Sequence, residues 1–202
     1  REKFIPKLSL AWLSPTDLEK STRYFYSRVG GYIKNGYELP KKKLVNKIRF
    51  FISSGDWDMK TVSIYDILHI ERTIKHYQKS LDWEEVGEID WMMNNIKKYY
   101  IQDGCRSYLD VINRLKKLDD LKAHLEEGGD FLTQKEINPH NFRENGGIGV
   151  AIARDGEPIW MGNGAHRLAI AKLLNISKIP VCLKIVHSKA IADNTINRYI
   201  SF

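Results

Sequence analysis

The stretch IGVAIARDGEPIWMGNGAHRLAIAKLLNISKIPV, residues 148–181, holds the most regular pattern in the chain. Large apolar residues alternate with glycine and alanine over residues 148–152, which predicts a β-strand with one large and one small face. The Asp155-Gly156 pair predicts a hairpin turn, and residues 158–161 return as a short second strand. The stretch therefore begins with a β-hairpin.

A turn at residues 162–164 follows the hairpin and leads into a helix over residues 165–174. Residues 179–186 are predicted as a third strand, and Pro180 indicates that a strand begins, or a sheet has its edge, at this point. This order of strand, turn, strand, helix and strand predicts a small β-sheet core that carries one helix.

The residues before this core are rich in aromatic side chains and in apolar residues at helical spacing. Ser14 can cap a helix and Pro15 suits its first position, so a helix is predicted to begin there. Further helices are predicted over residues 65–79, 90–101 and 107–127. We therefore predict an α+β fold, with a mainly helical region at residues 1–128 packed on a small mixed β-sheet core at residues 129–202.

The turn and the helix start form a candidate phosphate site. A glycine-rich turn after a strand directs backbone N–H groups towards the start of the next helix, where the helix dipole favours an anion. His166 and Arg167 add side-chain donors, and a histidine can also move a proton. The alternative interpretation is a structural turn before a capped helix. The predicted phosphate-binding residues are Gly162, Asn163, Gly164, Ala165, His166 and Arg167.

Residues 148–181 resemble the nucleotide-binding core of the ParB/sulfiredoxin superfamily. The residues that carry the resemblance are Gly164, His166, Arg167, Leu168, Ala169 and the Ile179-Pro180-Val181 strand start. Members of this group include chromosome-partitioning ParB, which hydrolyses CTP, and sulfiredoxin and free-serine kinases, which use ATP or ADP. The resemblance implies that Gly164, His166 and Arg167 hold nucleotide phosphates. It also implies a nucleotide-dependent phosphotransferase or hydrolase, ATP-dependent and kinase-like, that acts on a small molecule with ATP or another nucleoside phosphate and Mg²⁺.

Departures from the family patterns narrow this expectation. Ala165 stands where sulfiredoxin has its reactive cysteine, which disfavours sulfinic-acid reduction. The Glu-Arg-Arg box of ParB is missing, and residues 162–164 lack the aspartate of the serine kinases. The Gly-Asp-Trp-Asp run at residues 55–58 is similar to a motif of ParB-like proteins that have a helical N-terminal half.

Four carboxylates are candidates for metal binding or acid–base chemistry. Asp56 and Asp58 flank Trp57 and are predicted magnesium ligands, or else capping residues in a loop around a packed tryptophan. Glu136 and Glu144 lie in the segment that enters the core, and each is a candidate general base or an exposed acidic residue. The predicted catalytic residues are Glu136, Glu144 and His166.

The net charge of +7 is concentrated near the beginning of the chain. Residues 1–50 hold 12 Lys+Arg against 4 Asp+Glu, whereas residues 51–202 hold 20 against 21. The three lysines at residues 41–43, with Lys47 and Arg49, predict a surface for phosphate groups, or else a solvated cluster. The alternative function is therefore a nucleotide-gated, nucleic-acid-binding protein of ParB-like type.

The remaining signals concern location and transition metals. Cys105 and Cys182 match neither a zinc knuckle nor a disulfide scaffold, which favours a reducing, cytoplasmic location. No apolar run reaches the roughly 18–20 residues that cross a bilayer, so no membrane span is expected. His69 and His76 lack the i, i+4 spacing of a zinc helix, and the sequence predicts no transition-metal site.

Overall fold

The chain has an α+β fold, as the sequence predicts. The computed structural model describes residues 10–22, 26–27, 31–32, 51–141, 144 and 146–199. The chain divides into two compact units. The sheet unit consists of Arg1–Ile64, Leu132–Gly164 and Asn175–Phe202, and the helical unit consists of Tyr65–Phe131 and Ala165–Leu174.

A seven-stranded mixed sheet forms the centre of the sheet unit. The described strands are β1 (Leu10–Leu13), β2 (Lys20–Thr22), β3 (Tyr26–Ser27), β4 (Gly31–Tyr32), β5 (Phe51–Ser53), β6 (Thr61–Ser63), β7 (Ile148–Ile152), β8 (Pro158–Trp160) and β9 (Ile179–His187). The strand order is β1-β9-β7-β8-β2-β6, β5 also pairs with β9, and β3 and β4 form a separate pair. The predicted hairpin is confirmed, because β7 and β8 pair antiparallel with Val150 opposite Trp160.

Strand β9 lies inside the sheet and has neighbours on both sides. It runs parallel to β7, with Ile148 opposite Val181, and its other side is shared by β1 and β5. Its apolar residues are buried on both faces of the sheet, as is usual for a central strand of a sheet with parallel pairing. Pro180 lies at the strand's second position, so it marks the strand's beginning and not an edge of the sheet.

The predicted helical region at residues 1–128 is wrong for the described residues between 10 and 63. The Ser14-Pro15 signal gives only a 3₁₀ helix, Pro15–Asp17, and the chain then enters β2. Pairing with partners far along the chain determines these short strands, and a local sequence pattern does not contain that information. The sequence predicts one domain boundary, at residue 128, but neither unit is continuous in sequence. The strands before Tyr65 belong to the sheet unit, and Ala165–Leu174 belongs to the helical unit.

Four of the helices that follow agree with the sequence. They are α1 (Leu68–Lys79), α2 (Glu88–Tyr99), α3 (Tyr108–Glu126) and α5 (Ala165–Leu173), all in the helical unit. The short α4 (Gln134–Ile137) and α6 (Ser188–Ala192), in the sheet unit, were not predicted. Ser107 and Asp110 form a capping box that begins α3. The core of the helical unit contains Trp83, Ile89, Met92, Ile96, Cys105, Val111 and Leu115.

A polar contact set around Asp119 joins α1 to α3. The Asp119 carboxylate accepts hydrogen bonds from the Tyr77 hydroxyl at 2.9 Å and from Trp83 Nε1 at 3.2 Å. It also contacts His76 Nε2 at 3.2 Å. These contacts fix the face of α1 from which Arg72 and His69 project, one and two turns before His76.

Candidate functional site

The glycine turn, defined as Gly162, Asn163 and Gly164, connects β8 to α5. Gly162 and Gly164 have φ angles of +86° and +73°, in the left-handed region that favours glycine. A Cβ atom on Gly164 would lie 2.9 Å from Ile148 Cγ1 and 3.0 Å from Ile148 Cα. No described atom lies within 4 Å of a Cβ built on Gly162. Packing against β7 thus accounts for glycine at 164, whereas backbone conformation alone requires it at 162.

Hydrogen bonds within the sheet unit hold the glycine turn in place. The Asn163 carbonyl accepts the indole N–H of the buried Trp160 at 2.8 Å and the backbone N–H of Gly149 at 3.3 Å. The Met161 N–H donates to the Gly149 carbonyl at 2.8 Å. The turn is therefore preorganised by β7 and β8.

His166 and Arg167 have buried side chains within the helical unit. His166 is 7% exposed and Arg167 is 9% exposed, and Ala165 before them is also buried. The Arg167 guanidinium carbon lies 4.7 Å from the centre of the Phe131 ring, which is cation–π geometry. His166 Nε2 lies 3.0 Å from Glu88 Oε1. Both side chains therefore have protein partners, in contrast to outward-facing phosphate donors.

The cluster around Glu88 joins three helices of the helical unit. Glu88 begins α2 and its side chain is completely buried. Its Oε1 atom lies 2.8 Å from His69 Nδ1, and its Oε2 atom lies 3.3 Å from Arg72 Nη1. His69 and Arg72 share one face of α1, and His166 comes from α5. We call His69, Glu88 and His166 the His–Glu–His cluster.

The charge of Glu88 is stabilised by its neighbours. Burial raises the pKa of Glu88. The hydrogen bonds and the electrostatic attraction from His166 and His69 lower that pKa by more, so it lies below its ordinary value. The carboxylate is therefore ionised at neutral pH. The imidazole nitrogens and the carboxylate oxygen of the cluster all lie within 4.8 Å of one another. Such a group can share protons or hold a cation.

The His–Glu–His cluster was not predicted from the sequence, because its members are distant along the chain. His69, Glu88 and His166 lie on different helices, so spacing within one helix carries no information about them. One local signal did exist: His166 lies in the mostly apolar α5, and a buried imidazole requires a polar partner. The identity of that partner depends on the packing of α5 in the helical unit.

Glu136 and Glu144, the predicted general bases, hold the start of α4. Glu136 accepts the Thr133 N–H at 2.7 Å and completes a capping box, and these bonds lower the pKa of Glu136. The buried Glu144 carboxylate accepts the N–H groups of Gln134 at 2.6 Å and Lys135 at 2.9 Å. Both carboxylates therefore stabilise a helix terminus.

Asp56 and Asp58, the predicted magnesium ligands, are bound by one arginine. Arg154 Nη2 lies 2.8 Å from Asp56 Oδ1 and 2.7 Å from Asp58 Oδ1, and the Arg154 backbone N–H also donates to Asp58. Burial raises the pKa of Asp58, but the hydrogen bonds from Arg154 lower it by more, so the pKa lies below its ordinary value. The pair does not fit a magnesium site, because a guanidinium already occupies the space between its oxygens.

The remaining sequence predictions have different outcomes. The basic residues at 41–43, 47 and 49 lie outside the described residues. Cys105 and Cys182 are both buried and form no disulfide. Within the described ranges, no helix combines the length and the apolar character needed to cross a bilayer.

No family model, curated protein or solved structure matches this chain. The resemblance of residues 148–181 to the ParB/sulfiredoxin core stays a prediction from the sequence.

Proposed function

We propose that the chain binds a nucleoside phosphate at the glycine turn and acts as an ATP-dependent phosphotransferase or hydrolase on a small molecule. The geometry of the glycine turn supports this proposal. It lies between β8 and α5, its Asn163 carbonyl is anchored by two hydrogen bonds, and the space beside Gly162 is open among the described residues. A rigid, glycine-lined backbone allows close approach of a phosphate group.

The proposal assigns phosphate binding to the backbone of the turn. The side chains of His166 and Arg167 are buried against Glu88 and Phe131, so they are poor first contacts for a ligand. Backbone N–H groups of a glycine turn bind phosphate oxygens without any side-chain movement. In phosphoryl transfer, the bond from the γ-phosphorus to the bridging oxygen breaks. The oxygen of the acceptor hydroxyl or water bonds to phosphorus and loses its proton to solvent.

Magnesium enters this proposal with the nucleotide. Because Arg154 already contacts the carboxylates of both Asp56 and Asp58, we do not assign them as its ligands. Mg²⁺ commonly binds nucleotide phosphates and keeps several water molecules. The role of this chain's residues is then to position the phosphates.

The test is a thermal-shift titration of the full chain with ATP, ADP, CTP and GTP in the presence of Mg²⁺. Gly162→Ala introduces a methyl group where a phosphate would approach, and Gly104→Ala is a matched control. Gly104 has the same φ of +86° and the same open space, so both variants carry equal backbone strain. We expect a nucleotide-dependent shift that is lost in Gly162→Ala and kept in Gly104→Ala. The absence of any shift in the wild type, or an equal shift in all three proteins, would contradict the proposal.

The nucleic-acid alternative has a separate readout. Binding of DNA or RNA through a basic surface weakens steeply as salt rises, because counterions are released from the phosphate backbone. Tight binding with a steep salt slope, without a nucleotide-dependent thermal shift, would favour that alternative over the phosphotransferase.

A further inference from the structure

We propose that the His–Glu–His cluster is a binding site for a divalent transition-metal ion, for which Zn²⁺ is the primary probe. The cluster supplies two imidazole nitrogens and one carboxylate oxygen, and all of these atoms lie within 4.8 Å of one another. The inference goes beyond the proposed nucleotide function and does not depend on it.

The distances in the cluster are close to those of a zinc site. Glu88 Oε1 lies 2.8 Å from His69 Nδ1 and 3.0 Å from His166 Nε2. Ligand bonds of about 2.0–2.1 Å in a tetrahedral zinc site place neighbouring ligand atoms about 3.3 Å apart. Each of these two nitrogen–oxygen pairs would therefore separate by only a few tenths of an ångström on entry of the ion, by our estimate from those bond lengths, and the two imidazole nitrogens lie within 4.8 Å of one another.

Neighbouring groups orient the three donors. Arg72 contacts Glu88 Oε2, and Oε1 is the oxygen that lies closest to both imidazoles, although His69 Nδ1 is also 3.1 Å from Oε2. The Trp91 ring meets the His69 ring edge-on, with centroids 4.2 Å apart, and Trp83 lies 5.9 Å from His166 in a similar arrangement. Of these contacts, the one from Arg72 is a hydrogen bond to a ligating carboxylate, which is the kind of partner that raises metal affinity.

The donor types select the class of ion. Two imidazoles with one carboxylate suit zinc and other first-row transition metals, whereas Mg²⁺ and Ca²⁺ prefer oxygen ligands alone. Three protein ligands leave a fourth position for water or a substrate atom. Within the cluster the His69 side chain is the most exposed, at 24%, against 9% for His166 and 0% for Glu88.

Metal binding exchanges protons and involves no electron transfer. In the hydrogen-bonded cluster, His69 Nδ1 and His166 Nε2 face the carboxylate and carry the protons of those bonds. A metal ion needs the lone pairs of the same nitrogens. Each imidazole therefore either moves that proton to its other ring nitrogen or releases it to solvent.

The experiment uses the full, untagged chain after treatment with a chelator. Equilibrium dialysis measures Zn²⁺ binding, and Co²⁺ added in place of zinc reports coordination through its visible absorption. We expect one equivalent of Zn²⁺ and the spectrum of four-coordinate Co²⁺ with nitrogen and oxygen ligands. His69→Gln should weaken Zn²⁺ binding at least about 100-fold, because loss of a direct ligand exceeds the cost of losing an orienting partner.

His124→Gln is the matched control, since His124 is an exposed histidine on α3 outside the cluster. It should bind Zn²⁺ as the wild type does. Circular dichroism checks that His69→Gln is folded, and the wild-type measurement does not depend on any variant. A wild type that binds neither ion, or a folded His69→Gln that binds Zn²⁺ as tightly as His124→Gln, would show that the cluster is only a buried ion pair. Nucleotide shifts of the chelator-treated protein, measured after removal of the chelator with Mg²⁺ and without added Zn²⁺, test the proposed function separately.

Discussion

Replacement of Gly164 by alanine should lower the free energy of unfolding by about 2–5 kcal/mol. The left-handed backbone at φ +73° costs an alanine about 1–2 kcal/mol. The new Cβ would also lie 2.9 Å from Ile148 Cγ1, 3.0 Å from Ile148 Cα and 3.1 Å from Ile148 N. Overpacking of this kind costs about 1–3 kcal/mol. Because two of these three atoms belong to the backbone of β7, a change of side-chain rotamer cannot relieve the contact.

The assay is urea unfolding monitored by tryptophan fluorescence, since Trp160 lies in β8 beside the turn. Gly162→Ala shares the left-handed backbone but meets no described atom, so it should cost only about 1–2 kcal/mol. Ile148→Ala is itself destabilising because Ile148 is buried, so the comparison is made within that background: there Gly164→Ala should cost less than in the wild type, but not nothing, because the Cα and N contacts persist. If Gly164→Ala unfolds at the same urea concentration as Gly162→Ala, the packing argument for Gly164 is incorrect.

Three further predictions concern polar contacts. The pKa of Asp58 in the folded protein lies below its ordinary value of 3.8, so the stability that ionised Asp58 contributes is present above pH 3.8 and is lost as the pH falls through the lower folded pKa. When the free energy of unfolding is measured as a function of acid pH, it should therefore fall less steeply for Asp58→Asn than for the wild type. Glu144→Gln should cost about 1.5–3 kcal/mol in urea unfolding, because one of two charge-assisted bonds to the start of α4 loses its acceptor; an unchanged midpoint would contradict the capping role. Ser107→Ala should cost about 1 kcal/mol, since it removes the N-cap of α3, and Ser107→Asn should restore most of that loss.

The strands and the helix of residues 148–187 could be predicted from the sequence, because a local residue pattern specifies each of them. Alternating large and small residues, an Asp-Gly turn and a glycine turn impose their own backbone geometry, whatever surrounds them. The helices α1, α2 and α3 followed for the same reason, since their apolar period and the Ser107 cap are visible within a few turns. The left-handed conformations of Gly162 and Gly164 agree with the predicted turn.

The tertiary structure alone decided which partners these elements have. The strands β1 and β5 join β9 across more than a hundred residues, and only that pairing makes them strands. Asp58 was a plausible magnesium ligand until Arg154, distant in sequence, filled its coordination space. His166 likewise has its partner in Glu88, on a helix of the intervening segment. Local sequence determined the backbone conformation of the hairpin, the glycine turn and the longer helices, because the energies that fix them act between neighbours. The short strands near the beginning of the chain and the role of each buried polar side chain depend on which groups packing brings to them.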